Sequence, residues 1–475
     1  MLRFGNKWHH YFWVFGLFLV NFVLKVIHLD YGDISGDEPF TLFYAQGEWD
    51  FMVQMFPGEN NPPLHFVLMH FWIKLFGISP FSVRFSSLIF SAMLASGIFL
   101  LGKRIFNNSI GIFSSLIFTF SSFHIYFAHE ARVYALLAML SCFSMLAFLK
   151  VLAGRPKRKQ VIVWVLLNGL LLYSHFFGTL IVLVQVLFVA PKIIKDFSKH
   201  KAIFAGFLAT LLLFVPYLPT LFHRFKESSG GTWLETPTFE GLYVLLWKFS
   251  NQPVNTVLFM VLLFAGLIIK RFRKQTFSIE EKLLWFWFLF PILFVFIVSF
   301  HTPMFLDRYL VFVSIPFYLL VSTSVFSVFN NKAFSLTVSL GLVALMMFTS
   351  EIDAKNNREP SKLAEIIKQN EGPTTLTLMT PNWIDKNIAY HYDKDVFKNY
   401  RRFDELLKEK HIFSVPPKLG FDFKDRDSIT EVILIEGWSE EGNNASLKKS
   451  ILDKFESKRV LEEYKGYKLT FFTRK

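Results

Sequence analysis

A single cysteine, Cys142, stands in 475 residues, so neither an intrachain disulfide nor a thiolate-ligated structural zinc can form. Charge is sparse as well. Asp, Glu, Lys and Arg make up 18% of the chain, against roughly a quarter in an ordinary soluble protein. With 24 Gly and 19 Pro there is no collagen-like or linker-like excess. Residues 30–61 contain no Lys or Arg, and residues 351–475 contain no apolar run of membrane-spanning length. These shortages exclude a disordered chain, a small disulfide scaffold and a typical soluble enzyme.

What is present is apolar: 53% of the residues, 60 of them Phe, with a mean hydropathy of +0.39. That composition predicts a membrane protein. The net charge of +13 would also suit a nucleic-acid partner, so its location decides. Residues 351–475 carry 23 basic and 22 acidic side chains, whereas the first 350 carry 27 and 15. The excess sits in short alternate loops: Lys103-Arg104, Arg155 to Lys159, Lys192 to Lys201 and Lys270 to Lys274. This is the positive-inside pattern of cytoplasmic loops, and it excludes a nucleic-acid surface. Arg3 and Lys7 precede an apolar run from Trp8 to Leu24 with no small-residue cleavage site, which reads as an uncleaved signal anchor with a cytoplasmic N-terminus.

Threading by this rule predicts eleven spans, near 8–28, 81–101, 109–127, 133–150, 161–174, 176–191, 202–221, 254–270, 283–300, 309–328 and 333–349. Pro62 to Gly77 is too short and is interrupted by His65, His70 and Lys74; it predicts an interfacial or re-entrant helix. The expected fold is an α-helical polytopic membrane protein of about 11 transmembrane helices over 1–350, with a small extracytoplasmic α/β domain over 351–475. In that domain helices are expected at 361–370 and 446–455 and strands at 374–380 and 431–436. A hairpin over 459–472 should turn at Lys465-Gly466.

Ionisable residues near spans are costly, hence functional candidates. They fall on the expected outer side. Asp37-Glu38 lies in the first outer loop (30–80), within its stretch 30–61 that lacks Lys and Arg, and either serves a base or a metal or is a solvated helix start before Pro39. Arg84, at the outer start of a span, is either a snorkelling side chain or a phosphate contact. Glu130 is the sole acidic residue between Asn60 and Asp196, with Arg132 beside it in His129-Glu130-Ala131-Arg132. His175 and Asp307-Arg308-Tyr309 complete the set at the same expected depth. A sugar on a polyprenyl phosphate would need this set: a carboxylate for the acceptor proton and cations for the departing phosphate.

The order Asp37-Glu38, Asn61-Pro62-Pro63-Leu64, Val83-Arg84-Phe85-Ser86, His129-Glu130-Ala131-Arg132-Val133-Tyr134, Ser174-His175-Phe176-Phe177-Gly178 and Arg308-Tyr309-Leu310 resembles the bacterial GT-C glycosyltransferases. Within them it is most similar to the protein-mannosyltransferase-like and aminoarabinose-transferase-like enzymes, over roughly residues 10–330. The resemblance implies an inverting transferase using a polyprenyl-phosphate sugar at the outer face of the cell membrane. It implies Asp37 as the essential carboxylate with Glu38 beside it, Glu130 as the second acidic position, and Arg84 and Arg308 on the lipid phosphate, accompanied by Arg132 and His175. Relatives often carry Lys or His where Asn61 stands, so one phosphate contact is expected to differ. The sequence requires no cofactor and is compatible with a divalent cation. Its implied partners are the lipid-linked sugar, membrane lipid and an acceptor glycan, lipid or protein. Competing readings are a transporter or flippase, which predicts an internal repeat that the sequence does not show, and a lipid-linked glycan polymerase or ligase.

Overall fold

Helices begin and end close to the limits of the apolar runs, because inside a bilayer every backbone N–H and C=O must be satisfied within the segment. In the computed structural model this can be followed over residues 5–229, 234–352, 358–424, 426–437, 444–464 and 466–475. Arg3 and Lys465 lie outside the described residues. By length and composition seven helices among the described residues can cross a membrane: Pro80–Ile105, Tyr134–Leu152, Gly178–Lys195, Phe197–Glu227, Pro253–Phe272, Ile279–Val298 and Asp307–Val328. The chain is a multi-pass membrane protein. Three other expected spans are present as helices Gly5–Val26, Arg158–Ser174 and Lys332–Phe348, the last two of 17 residues each and shorter than those seven; the count of eleven is not reached by this criterion among the described residues.

The span expected at 109–127 is broken. Asn108–Thr119 and Ser122–Ala128 meet at a bend of 67°. Asn251 repairs the interrupted backbone: its amide donates to the Phe120 carbonyl at 2.9 Å and its Oδ1 accepts from the Ser122 N–H at 2.8 Å. Tyr318 adds a hydroxyl donor to Ser121 Oγ at 3.0 Å. Leu64–Phe76 has 13 residues, about 20 Å of helix, too short for a hydrocarbon core of about 30 Å.

Small residues let the helices approach. A Cβ on Gly102 would sit 2.6 Å from Gly111 Cα, so Pro80–Ile105 and Asn108–Thr119 touch backbone to backbone there. A buried polar seam joins the first helix to these two. Lys25 Nζ donates to Ser91 Oγ at 3.1 Å, Ser91 to Asn21 Oδ1 at 3.2 Å, and Asn21 to Thr119 Oγ1 at 3.0 Å.

The chain divides into two compact units. One is Met1–Leu29, Met55–His65 and Arg84–Ala354; the other is Asp30–Gln54, Phe66–Val83 and Lys355–Lys475. The second unit thus takes in the acidic first loop as well as the C-terminal segment. Its sheet has strands β1 (Thr375–Thr380), β2 (Ile412–Ser414), β3 (Glu431–Gly437), β4 (Phe455–Tyr464) and β5 (Tyr467–Arg474) in the order β2-β1-β3-β5-β4. β2, β1 and β3 are parallel, with Leu378 opposite Phe413 and Leu434. β5 runs antiparallel to both β3 and β4. All six residues of β1 are buried, as expected for a central parallel strand covered on both faces. The expected elements are found, but the last helix ends at Leu452 and Phe455 already belongs to β4. Helices Asp385–Tyr392, Lys394–Lys398 and Phe403–Glu409 went unforeseen because they are short and largely polar.

Candidate functional site

In the first unit, the polar candidates other than Arg84 lie at breaks between helices. Ser122–Ala128 stops at His129, and Tyr134–Leu152 begins five residues later. The turn between them is tight: the Arg132 N–H donates to the Glu130 carbonyl at 2.8 Å. His129 Nε2 donates to the carbonyl of Lys25 at 2.7 Å and so ties this turn to the first helix. Glu130 and Arg132 are buried.

The second break, residues 175–177, separates Arg158–Ser174 from Gly178–Lys195. A Cβ on Gly178 would lie 2.6 Å from the Leu171 carbonyl oxygen, so the return of the chain needs glycine. The Phe177 N–H donates to His175 Nδ1 at 3.0 Å, which places the ring proton on Nε2. Nε2 is buried and has no hydrogen-bond partner among the described residues. Burial, then the charges of Arg132 and Arg308, push the His175 pKa down to about 3. His175 is therefore a neutral donor flanked by two cations. His65 is likewise pushed to about 3 by burial and then by Arg132.

The third element is the segment 307–313. The Arg308 guanidinium lies 5.8 Å from the Tyr134 ring and 5.7 Å from the Tyr309 ring. The His175 ring is 6.0 Å from Tyr134 and 5.5 Å from Tyr309. Arg132, Tyr134, His175 and Arg308 thus converge from three separate chain segments. Glu130 and Arg308 also line one cavity of about 560 Å³ with Tyr126, Trp247, Gln252 and the Lys248–Asp307 ion pair of 2.5 Å. Trp247 and Lys248 carried no sequence signal, since their segment holds no motif.

Arg84 is fully buried and donates to the Leu29 carbonyl at 3.1 Å. Asn61 donates to Glu59 Oε1 at 3.3 Å, within its own loop. One helical turn from His175 begins an apolar groove of about 660 Å³, lined by Leu172, Leu180, Leu183, Phe207, Phe214 and Phe294 among others.

In the second unit, Asp37 occupies the N-cap position of helix Glu38–Ala45 without using its side chain to cap it. Gly36, just before, has φ 64, a left-handed backbone suited to glycine. Glu38 is fully buried, and its Oε2 accepts from the Ser35 N–H at 3.4 Å. Glu48, acidic and without a basic neighbour in sequence, pairs with Arg401 at 2.5 Å. Among the described residues no group of three His, Cys, Asp or Glu side chains could hold a metal ion.

The fold, a set of apolar helices followed by a small C-terminal sheet, is shared with proteins of known structure. Residues 60–219 match the family described as dolichyl-phosphate-mannose-protein mannosyltransferase. The structure is similar to that of ArnT from Cupriavidus metallidurans in the apo state, with a TM-score of 0.59 and 13% identity over 97% of both chains. It matches the same protein bound to undecaprenyl phosphate equally well, over 97% of this chain and 98% of that one. The oligosaccharyltransferase AglB from Archaeoglobus fulgidus, in complex with an inhibitory peptide and a dolichol-phosphate, follows at a TM-score of 0.55 and 10% identity, over 98% of this chain and 75% of that one. No curated protein matches by sequence.

Proposed function

We propose that the chain transfers a sugar from a polyprenyl-phosphate donor to an acceptor hydroxyl at the outer face of the cell membrane. In this reading the N-terminus is cytoplasmic and residues 351–475 are extracytoplasmic. The observation that carries it is the neutral Nε2–H of His175, set with Arg132 and Arg308 one turn from an apolar groove. A charged headgroup and an isoprenoid tail need that combination. The tail occupies the groove beside Leu180 and Leu183, and Arg308, Arg132, Arg84 and His175 take the phosphate.

The reaction is one displacement at the anomeric carbon. The acceptor oxygen forms the new bond, the bond from that carbon to the phosphate oxygen breaks, and Asp37 takes the acceptor proton. Polyprenyl phosphate leaves with the bonding electron pair, its charge held by the cations. Glu130 orients Arg132 or the acceptor within the cavity it lines. Glu38 braces the turn through Ser35. The ArnT structure with undecaprenyl phosphate supports the donor class.

The test is binding of polyprenyl phosphate to the purified protein in nanodiscs. Arg308→Ala and His175→Ala should each weaken it about tenfold or more while leaving the fold intact by thermal unfolding. Wild-type affinity in both variants would defeat the phosphate assignment.

A further inference from the structure

Helix Asp385–Tyr392 lies in the second unit, some 350 residues after the acidic loop in the chain, yet it holds the backbone on which Asp37 is carried. Asn387 and His391 are four residues apart and so share one face of the helix. Asn387 Nδ2 donates to the Gly36 carbonyl at 3.1 Å. His391 Nε2 lies 2.9 Å from the Ile34 carbonyl, an acceptor, so the ring proton is on Nε2 and is donated there. The two contacts fall on either side of Ser35. Tyr390 fixes the helix itself through a 2.6 Å hydrogen bond from its hydroxyl to the Ile78 carbonyl.

The surrounding loop is tied down the same way. Asp33 Oδ2 accepts from the Ser361 N–H at 2.9 Å, and Gln46 donates to the Phe397 carbonyl at 2.7 Å. Phe43 packs against Phe403 with ring centroids 4.8 Å apart. These ties hold the ends of the loop; Asn387 and His391 hold the turn that aims Asp37. Gly36 has a left-handed backbone, and glycine has the most freedom to lose on ordering. Holding the Gly36 carbonyl limits that freedom immediately before Asp37, and misplacement of the carboxylate by about an ångström costs on the order of a hundredfold in rate.

We infer that Asn387 and His391 are positioning residues for Asp37, so that the C-terminal segment sets the geometry of the base instead of merely decorating the enzyme. This rests on the reading of Asp37 as the base. Cells in which Asp37→Asn is the sole copy define the substrate, as the polyprenyl-phosphate sugar that accumulates. In parallel cells His391→Leu and Asn387→Asp, which remove the donors, should raise the same lipid at least tenfold over wild type at equal protein level. His391→Gln, whose amide N–H reaches where Nε2–H did, should restore the wild-type level, which a purely packing role would not produce.

Hydrogen exchange on the full purified chain supplies an independent arm: amides 34–38 should exchange at least tenfold faster in His391→Leu than in wild type. Accumulation in Asp37→Asn but not in His391→Leu and Asn387→Asp overturns the inference, as does failed rescue by His391→Gln or unchanged exchange. No accumulation in Asp37→Asn overturns the reading of the base instead, and the exchange arm still decides the brace.

Discussion

A buried histidine between two arginines has little choice about its proton. His175 is held neutral by burial and by Arg132 and Arg308, down to a pKa of about 3. The folded-state pKa is depressed below the ordinary 6.5. Stability from the neutral ring is therefore fully present above pH 6.5 and falls as the pH drops from there towards 3. Thermal unfolding at pH 5 and pH 7 should show this loss in wild type and a smaller one in His175→Gln. Activity should show no limb near 6.5 that His175→Gln abolishes. Loss of the Nε2–H donor in His175→Ala should cost about a hundredfold in kcat, as for other preorganised donors to a developing anion. At this scale the sequence singles out Asp37, Glu130, Arg132, Arg308 and His175, because each ionisable residue stands out against an apolar background. It was silent on Asn387 and His391, which look like ordinary surface residues until the loop they hold is in view.

Among the elements, the informative positions are interruptions of helices. Gly178 allows the return after His175, with no room for a methyl group beside the Leu171 carbonyl. Gly178→Ala should therefore shift the His175 ring and lower turnover about tenfold or more; a crystal structure of the variant with an unmoved ring and wild-type kinetics would refute this. In the second unit Asp393 caps helix Lys394–Lys398, accepting from the Asp395 N–H at 2.9 Å and the Val396 N–H at 3.3 Å. Burial opposes the charge of Asp393, but the two N–H bonds and Lys410 outweigh it and hold the carboxyl below its usual 3.8. Asp393→Ala should cost about 1 kcal/mol at pH 7. Because the folded pKa is depressed, the stabilisation is present above 3.8 and disappears as the pH falls through the lower folded value; urea unfolding of wild type and variant at pH 7 and pH 3 measures both. Seven spans were legible from hydropathy among the described residues. The 67° bend was not, since Asn251, which satisfies its broken backbone, lies some 130 residues away.

Across the whole molecule, charge and compactness divide the chain along different lines. The first 350 residues hold the basic excess and the last 125 are nearly balanced. The structural units nevertheless assign the acidic loop of Asp30–Gln54 to the same body as the C-terminal segment. Composition reports chemistry along the chain, whereas the partners of Asp33, Gln46 and Glu48 are set by pairings across more than 300 residues. If the protein holds a polyprenyl phosphate, ligand binding must stabilise the folded state. Polyprenyl phosphate added to the detergent-solubilised protein should raise its Tm in wild type and raise it less in Arg308→Ala.

Mass spectrometry of envelope glycans and lipid-linked sugars, comparing wild type with a strain whose sole copy is Asp37→Asn, tests the central claim most directly. The account predicts that one sugar disappears from an envelope acceptor while the matching polyprenyl-phosphate sugar accumulates. Unchanged glycans together with an unchanged lipid-linked pool, at normal protein level, would contradict it.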